Sequence, residues 1–113
     1  MQVLYKIVSR QIWEEAEKLG VFVGAGIDVK DGYIHLSTAA QARETARLHF
    51  AGQTDLLLVA VAEASVAQNL KWEPSRGGQL FPHVYGALDP AKVLWAKPCA
   101  WNGAVHDFPA EFI

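Results

Sequence analysis

The segment Asp31-Gly32-Tyr33-Ile34-His35-Leu36-Ser37-Thr38-Ala39-Ala40-Gln41 reads as a short strand running directly into a helix, and that junction decides the fold class. Side chains on a strand alternate between faces, so Ile34 and Leu36 point inward while Tyr33, His35 and Ser37 line the opposite face. Thr38 and Gln41 then have the form of a capping box, in which the hydroxyl bonds into the first turn and the amide reaches back. The spacing predicts a helix to about Phe50 that buries Ala42, Ala46 and Phe50 and stops at Gly52.

Upstream, Gln2–Val8 sets Val3, Tyr5 and Ile7 on one face and Leu4 and Val8 on the other, as a strand does. Ser9 can cap a helix that runs through Leu19 and closes at Gly20, with Ile12, Trp13, Ala16 and Leu19 on its apolar face. Val21–Gly32, rich in glycine with Asp28 and Asp31, reads as a long loop or an irregular strand pair. Downstream, the apolar run Leu56–Ala62 reads as a strand covered on both faces. Leu70–Glu73 is a short strand candidate, Pro74–Gly78 a loop, and Asp89-Pro90 the cap and first residue of a single turn. Val93–Ala96 and Val105–Phe108 are strand candidates around an Asn102-Gly103 turn signal. Two helices near the start and strands thereafter predict an α+β domain with a largely antiparallel sheet, occupying residues 1–113 without repeats.

A chain of 113 residues, 51% of them hydrophobic, can bury a core of its own. The one cysteine, Cys99, excludes an intrachain disulfide and a cysteine-based zinc cluster. That lone thiol and the lack of a recognisable leader after Met1 point to the cytoplasm. No apolar run approaches the roughly 20 residues needed to span a bilayer. A net charge of −2 argues against a dedicated nucleic-acid binder, although Arg43, Arg47, Lys71 and Arg76 could still form a local basic patch.

Two clusters carry possible chemistry. His35 and Ser37, ahead of a helix N-terminus at Thr38, place an imidazole and a hydroxyl near free backbone N–H groups suited to an anion such as phosphate. The plain alternative is a structural His35, with Ser37 or Thr38 serving only as a cap. In Phe81-Pro82-His83-Val84-Tyr85-Gly86, Pro82 favours an extended chain that puts Phe81, His83 and Tyr85 on one face, and Gly86 permits close backbone approach. His83 and Tyr85 could bind or polarise a ligand, or could simply rim an aromatic core. The four histidines lack metal-site spacing, so no metal is expected. His49 and His106 read as surface or core-edge residues, Glu73 as exposed in preference to an acid or base, and Trp13, Trp72, Trp95 and Trp101 as core.

Taken together, Asp31–Thr38, Trp72-Glu73 and Phe81–Gly86 resemble the domain-of-unknown-function family nine-five-two, over the chain from Val3 to Val93. The resemblance implies a fold similar to the ADP-ribosyltransferase superfamily, a split antiparallel sheet, which also includes RNA 2′-phosphotransferases and poly(ADP-ribose) polymerases. It implies that His35, with Ser37 and Thr38, stands where such proteins hold the adenosine-side ribose of NAD. Tyr85 would stack on nicotinamide with His83 beside it. The superfamily's later glutamate has no match, since Glu73 falls too early and Glu111 lies in the tail. The implied reading is an NAD- or nucleotide-binding domain capable of ADP-ribose transfer, with His35, His83 and Tyr85 as catalytic candidates. Two others stay open: a non-catalytic ligand- or partner-binding module, and a hydrolase or phosphotransferase using His35 and His83 as acid and base.

Overall fold

The computed structural model describes residues 2–112. The strand β1 (Val3–Ser9) leads into α1 (Arg10–Leu19) and, after a loop, α2 (Ile27–Asp31). Two short strands, β2 (Ile34–His35) and β3 (Ser37–Thr38), precede α3 (Ala39–His49) and β4 (Leu56–Ala62). A short helix α4 (Glu63–Val66) is followed by β5 (Leu70–Pro74), β6 (Leu80–Val84), β7 (Trp95–Trp101) and β8 (His106–Asp107). Every strand pairing is antiparallel, in a five-stranded sheet of order β3-β1-β4-β7-β8 and a three-stranded sheet of order β2-β6-β5. The expected α+β class and antiparallel pairing are found.

The central strand β4 explains the long apolar run. Leu57, Val59 and Val61 face one core, with Trp13 and Ala16 of α1, with Ile34 and Val84 from the smaller sheet, and with Leu36 between the two sheets. Leu56, Leu58 and Ala60 face a second core under α3, with Tyr5, Ile7, Ala42, Ala46, Cys99 and Phe112. Both faces of the large sheet are therefore covered, and no polar position interrupts the strand. Burial also pushes the Cys99 thiol up to about 11, which makes it inert rather than reactive.

The first helix has the expected ends: Ser9 Oγ accepts from Ile12 N–H at 3.2 Å, and Gly20 takes the left-handed conformation at φ 79°. Its apolar face is narrower than expected. Trp13 and Ala16 are buried, whereas Ile12 and Leu19 are exposed at 40% and 78%. At α3, Gln41 Oε1 accepts from Thr38 N–H at 3.0 Å, the returning half of the capping box.

Several expectations need correction. The loop predicted over Val21–Gly32 contains α2, which escapes pattern analysis because it is inverted: it buries Asp28 and exposes Ile27 and Val29. Its N-terminal approach depends on Gly24, at φ +117°, where a Cβ would lie 2.8 Å from the Asp28 Cβ. The strand predicted over Tyr33–Ser37 is two strands: Leu36 N–H donates to Pro82 O at 3.0 Å, and the chain changes sheets there. The strand expected at Val93–Ala96 begins at Trp95 and extends to Trp101, pairing with β4 on one side and β8 on the other. Of the four tryptophans only Trp13 is fully buried.

Candidate functional site

The smaller sheet brings the two sequence clusters together. His35 on β2 lies directly opposite His83 on β6, and their ring centroids are 5.2 Å apart. Tyr33 packs on both, at 4.6 Å from His35 and 4.3 Å from His83, and lies 5.0 Å from Tyr85. Four rings thus form one continuous aromatic tier. Gly86 lets the chain close beside it, since a Cβ there would approach Asn69 Nδ2 to 2.7 Å, while Asn69 O accepts from Tyr85 N–H at 2.8 Å.

Each histidine presents Nδ1 to a carboxylate. His35 Nδ1 lies 2.7 Å from Asp28 Oδ1, which also accepts from the His35 backbone N–H at 3.0 Å. Asp28 Oδ2 accepts from Ala25 N–H at 3.0 Å and pairs with Lys6 Nζ at 2.6 Å. Lys6 in turn donates to His35 O at 3.2 Å. The Lys6 and Asp28 side chains are 8% and 0% exposed, so the ion pair sits in the core, where the His35 ring and three backbone groups bond it further. Burial works against the Asp28 carboxylate, but Lys6 and the two backbone N–H groups outweigh it and hold the carboxyl below its ordinary range. Burial likewise lowers the Lys6 ammonium, with Asp28 opposing. On the outer side, His35 Nε2 lies 3.0 Å from Asp31 Oδ2.

The second pair is open. Glu73 Oε1 accepts from Tyr85 Oη and faces His83 Nδ1, both at 2.8 Å. Those two bonds, to His83 and then Tyr85, hold the Glu73 carboxyl below its usual range. In return the Glu73 bond, with desolvation, pushes the Tyr85 phenol up to about 12. The Tyr33 phenol is raised by desolvation and by the charges of Asp31 and Glu73. Lys71 Nζ stands 4.7 Å from the Tyr85 ring centroid. His83 is 4% exposed at its side chain and Glu73 35%, so the carboxylate is the member solvent and ligands reach.

Beside the tier runs a cleft of about 370 Å³ walled by Val23, Val29, Gly32, Tyr33, Gly86 and Ala87, with Asp28 at its lining. The cleft and the tier share Tyr33. Among the described residues no group of three or more His, Cys, Asp or Glu side chains is placed to hold a metal.

The sequence-predicted residues divide in two. His35, His83 and Tyr85 converge. Ser37 does not join them: it is buried beneath α3, with Oγ 3.0 Å from Thr45 Oγ1, and Thr38 is engaged at the helix start. Alternation on a single strand would have kept Ser37 beside His35, but the switch of sheets at Leu36 breaks that relation. His49 is exposed as expected, while His106 is buried and donates through Nε2 to Gln53 O at 2.9 Å. Sequence reasoning missed Lys6, Asp28 and Asp31, and ranked Glu73 as an exposed residue ahead of an acid or base. One signal was available: Lys6 falls between Leu4 and Val8 on an inward strand face, and a charge there demands a buried partner.

The chain has recognisable relatives. The family model described as protein of unknown function, DUF952, matches residues 7–96. The X-ray crystal structure of protein CC0527 from Caulobacter crescentus is 42% identical, with 93% of each chain covered and a TM-score of 0.88. The solution NMR structure of the same protein gives 43% identity over 91% of this chain and 89% of that one, with a TM-score of 0.81. No curated protein matches. No helix among the described residues is long and apolar enough to cross a membrane. The family model spans most of the sequence and includes His35, Glu73, His83 and Tyr85, and the chain belongs to the DUF952 family of proteins of unknown function.

Proposed function

We propose that the face formed by Tyr33, His35, Glu73, His83 and Tyr85 binds NAD or a related nucleotide, and that its chemistry is of the ADP-ribosyl-transfer kind. The observation that carries this reading is Glu73 bonded at 2.8 Å to both His83 and Tyr85. A carboxylate stands at the aromatic tier although its place in the sequence is early. Stacked rings recognise a planar base, and an ionised carboxylate stabilises the positive charge that develops at a ribose carbon as its base departs. In such a step the bond from ribose C1′ to the nicotinamide nitrogen breaks, and its electron pair leaves with neutral nicotinamide. An acceptor hydroxyl then bonds to C1′ and gives up its proton, for which Glu73 is the base. The antiparallel pair of sheets and the resemblance of the His35 and Tyr85 segments to the ADP-ribosyltransferase superfamily support the same reading. A reducing compartment, the cytoplasm, suits its buried, unbridged Cys99.

A second reading rests on both imidazoles being anchored through Nδ1, the arrangement that leaves Nε2 for proton transfer to a phosphate ester. It is weaker because Asp31 already meets His35 Nε2. A third, a binding module without turnover, uses the same face. Thermal melts against NAD, ADP-ribose, other nucleotides and sugar phosphates, followed by a nicotinamide-release assay, separate the three. A ligand at 100 times its Kd adds about 2.7 kcal/mol of stability. Stabilisation by NAD with nicotinamide release that Glu73→Gln abolishes supports transfer. Stabilisation without release leaves the binding module. Failure of every nucleotide, or binding indifferent to His35→Ala and Tyr85→Ala, overturns the assignment.

A further inference from the structure

On the far side of the large sheet, between α3 and the β7–β8 hairpin, lies a cavity of about 320 Å³ lined by Arg43, Arg47, Trp101, His106 and Phe108 among others. That volume falls at the small end of the roughly 300–1,000 Å³ typical of small-molecule sites. It shares no residue with the Tyr33–Tyr85 face.

Three features define what it would take. The Arg43 guanidinium lies 4.6 Å from the Phe108 ring centroid and 4.9 Å from that of Phe112. Stacking of this kind fixes a long side chain by its planar faces and leaves its N–H edges to bond an anion bidentately. Arg47 follows one turn later on the same helix, and Arg76 reaches the same carboxylate, Glu44, that Arg47 pairs with. The cavity lining therefore carries two guanidinium groups, Arg43 and Arg47, against one glutamate, Glu44, a net positive mouth beside the rings of Trp101 and Phe108.

The third feature is His106. It is 5% exposed, its ring packs edge-on to Trp101 at 5.0 Å between centroids, and its Nε2 is bonded to Gln53 O at 2.9 Å. A carbonyl can only accept, so Nε2 carries the proton and Nδ1 offers a lone pair. That Nδ1 is buried without a partner among the described residues. Buried acceptors of this kind are rare in native proteins and call for a donor.

We propose that this cavity is a second ligand site, for a small planar aromatic carboxylate that carries a hydroxyl or amino donor on its ring. Arg43 and Arg47 take the carboxylate, Trp101 and Phe108 flank the ring, and His106 Nδ1 accepts from the ring substituent.

The test is an NMR titration of the whole protein with 4-hydroxybenzoate, using 4-hydroxybenzamide and benzoate as controls. The expected result is saturable amide shifts over residues 43–47 and 101–108, with the neutral amide at least tenfold weaker and benzoate weaker than the hydroxylated acid. Arg43→Gln, a change at an exposed position, should weaken 4-hydroxybenzoate at least tenfold while the variant still unfolds in one cooperative transition. Equal binding of acid and amide, wild-type affinity in Arg43→Gln, shifts that map to residues 33–35 and 83–86, or no saturable shift overturns the proposal. Benzoate binding as tightly as 4-hydroxybenzoate overturns it as well, since the donor to His106 would then contribute nothing. Either way the nucleotide reading of the other face is unaffected.

Discussion

The Asp28–His35 and Glu73–His83 pairs use the same bond, Nδ1 to carboxylate at 2.7 and 2.8 Å, in opposite surroundings. Asp28 is wholly enclosed, answers a buried lysine and two backbone N–H groups, and has no acceptor capacity to spare. Glu73 is half open, and its two partners are side chains that a ligand can displace or extend. The difference teaches that the first pair builds the site and the second meets what enters it. Enclosure makes an ion pair costly to break but unresponsive, and exposure does the reverse.

The largest expected effect tests the enclosed side. Asp28→Asn leaves the Lys6 ammonium buried without a counter-charge and should cost about 3–5 kcal/mol, read as a drop in the urea midpoint at constant m-value. A cost below about 1 kcal/mol would mean the pair contributes nothing the core needs. Leu36→Ala, at the seam between the sheets, should follow at about 2–5 kcal/mol through lost burial and the cavity left behind. His35→Ala should cost about 1–3 kcal/mol, because the Asp28 carboxylate loses one bond but keeps the His35 backbone N–H. A loss above about 3 kcal/mol would make His35 a core residue and end its role as a ligand contact.

The smallest stability change belongs to Glu73→Gln, whose signature is pH dependence instead. The Glu73 carboxyl is held below the ordinary 4.5, so its stabilisation is complete above that pH and is lost as the pH falls through the lowered value. The variant should show a shallower loss of stability in acid than the parent. On the alkaline side, Tyr85 is raised from 10.0 to about 12, so its contribution is present below pH 10 and disappears between there and about 12. A phenolate absorbance titration should show Tyr85 ionising earlier in Glu73→Gln. Unchanged titration would break the contrast between the two pairs.

Much of this architecture was legible because local rules and global packing agree. The Ser9 cap, the left-handed Gly20, the Thr38–Gln41 box and the doubly buried β4 each follow from residue type and spacing. The convergence of His35 with His83 and Tyr85 was legible as well, from two patterned segments. What escaped was polar burial. A helix that hides its aspartate and exposes its isoleucine defeats any hydrophobic periodicity, so α2 and Asp28 could not be placed. Glu73 reads as solvent-facing because nothing in Trp72-Glu73 reveals that β5 pairs with β6, which lets it reach His83 diagonally across the pair. Ser37 was misplaced because alternation assumes one sheet, and the chain uses two.

That change of sheets at Leu36 has a mechanical consequence. His35 belongs to the smaller sheet and Ser37 to the larger, with a single residue between them anchored to Pro82 O. A short, stiff tether of this kind converts a displacement at one end into torque at the other, and the far end is the first turn of α3. Ligand engagement at His35 should therefore register as slowed amide exchange around Thr38–Ala42, in residues that never touch the ligand. The loops flanking the cleft, which share no such tether, should exchange as before.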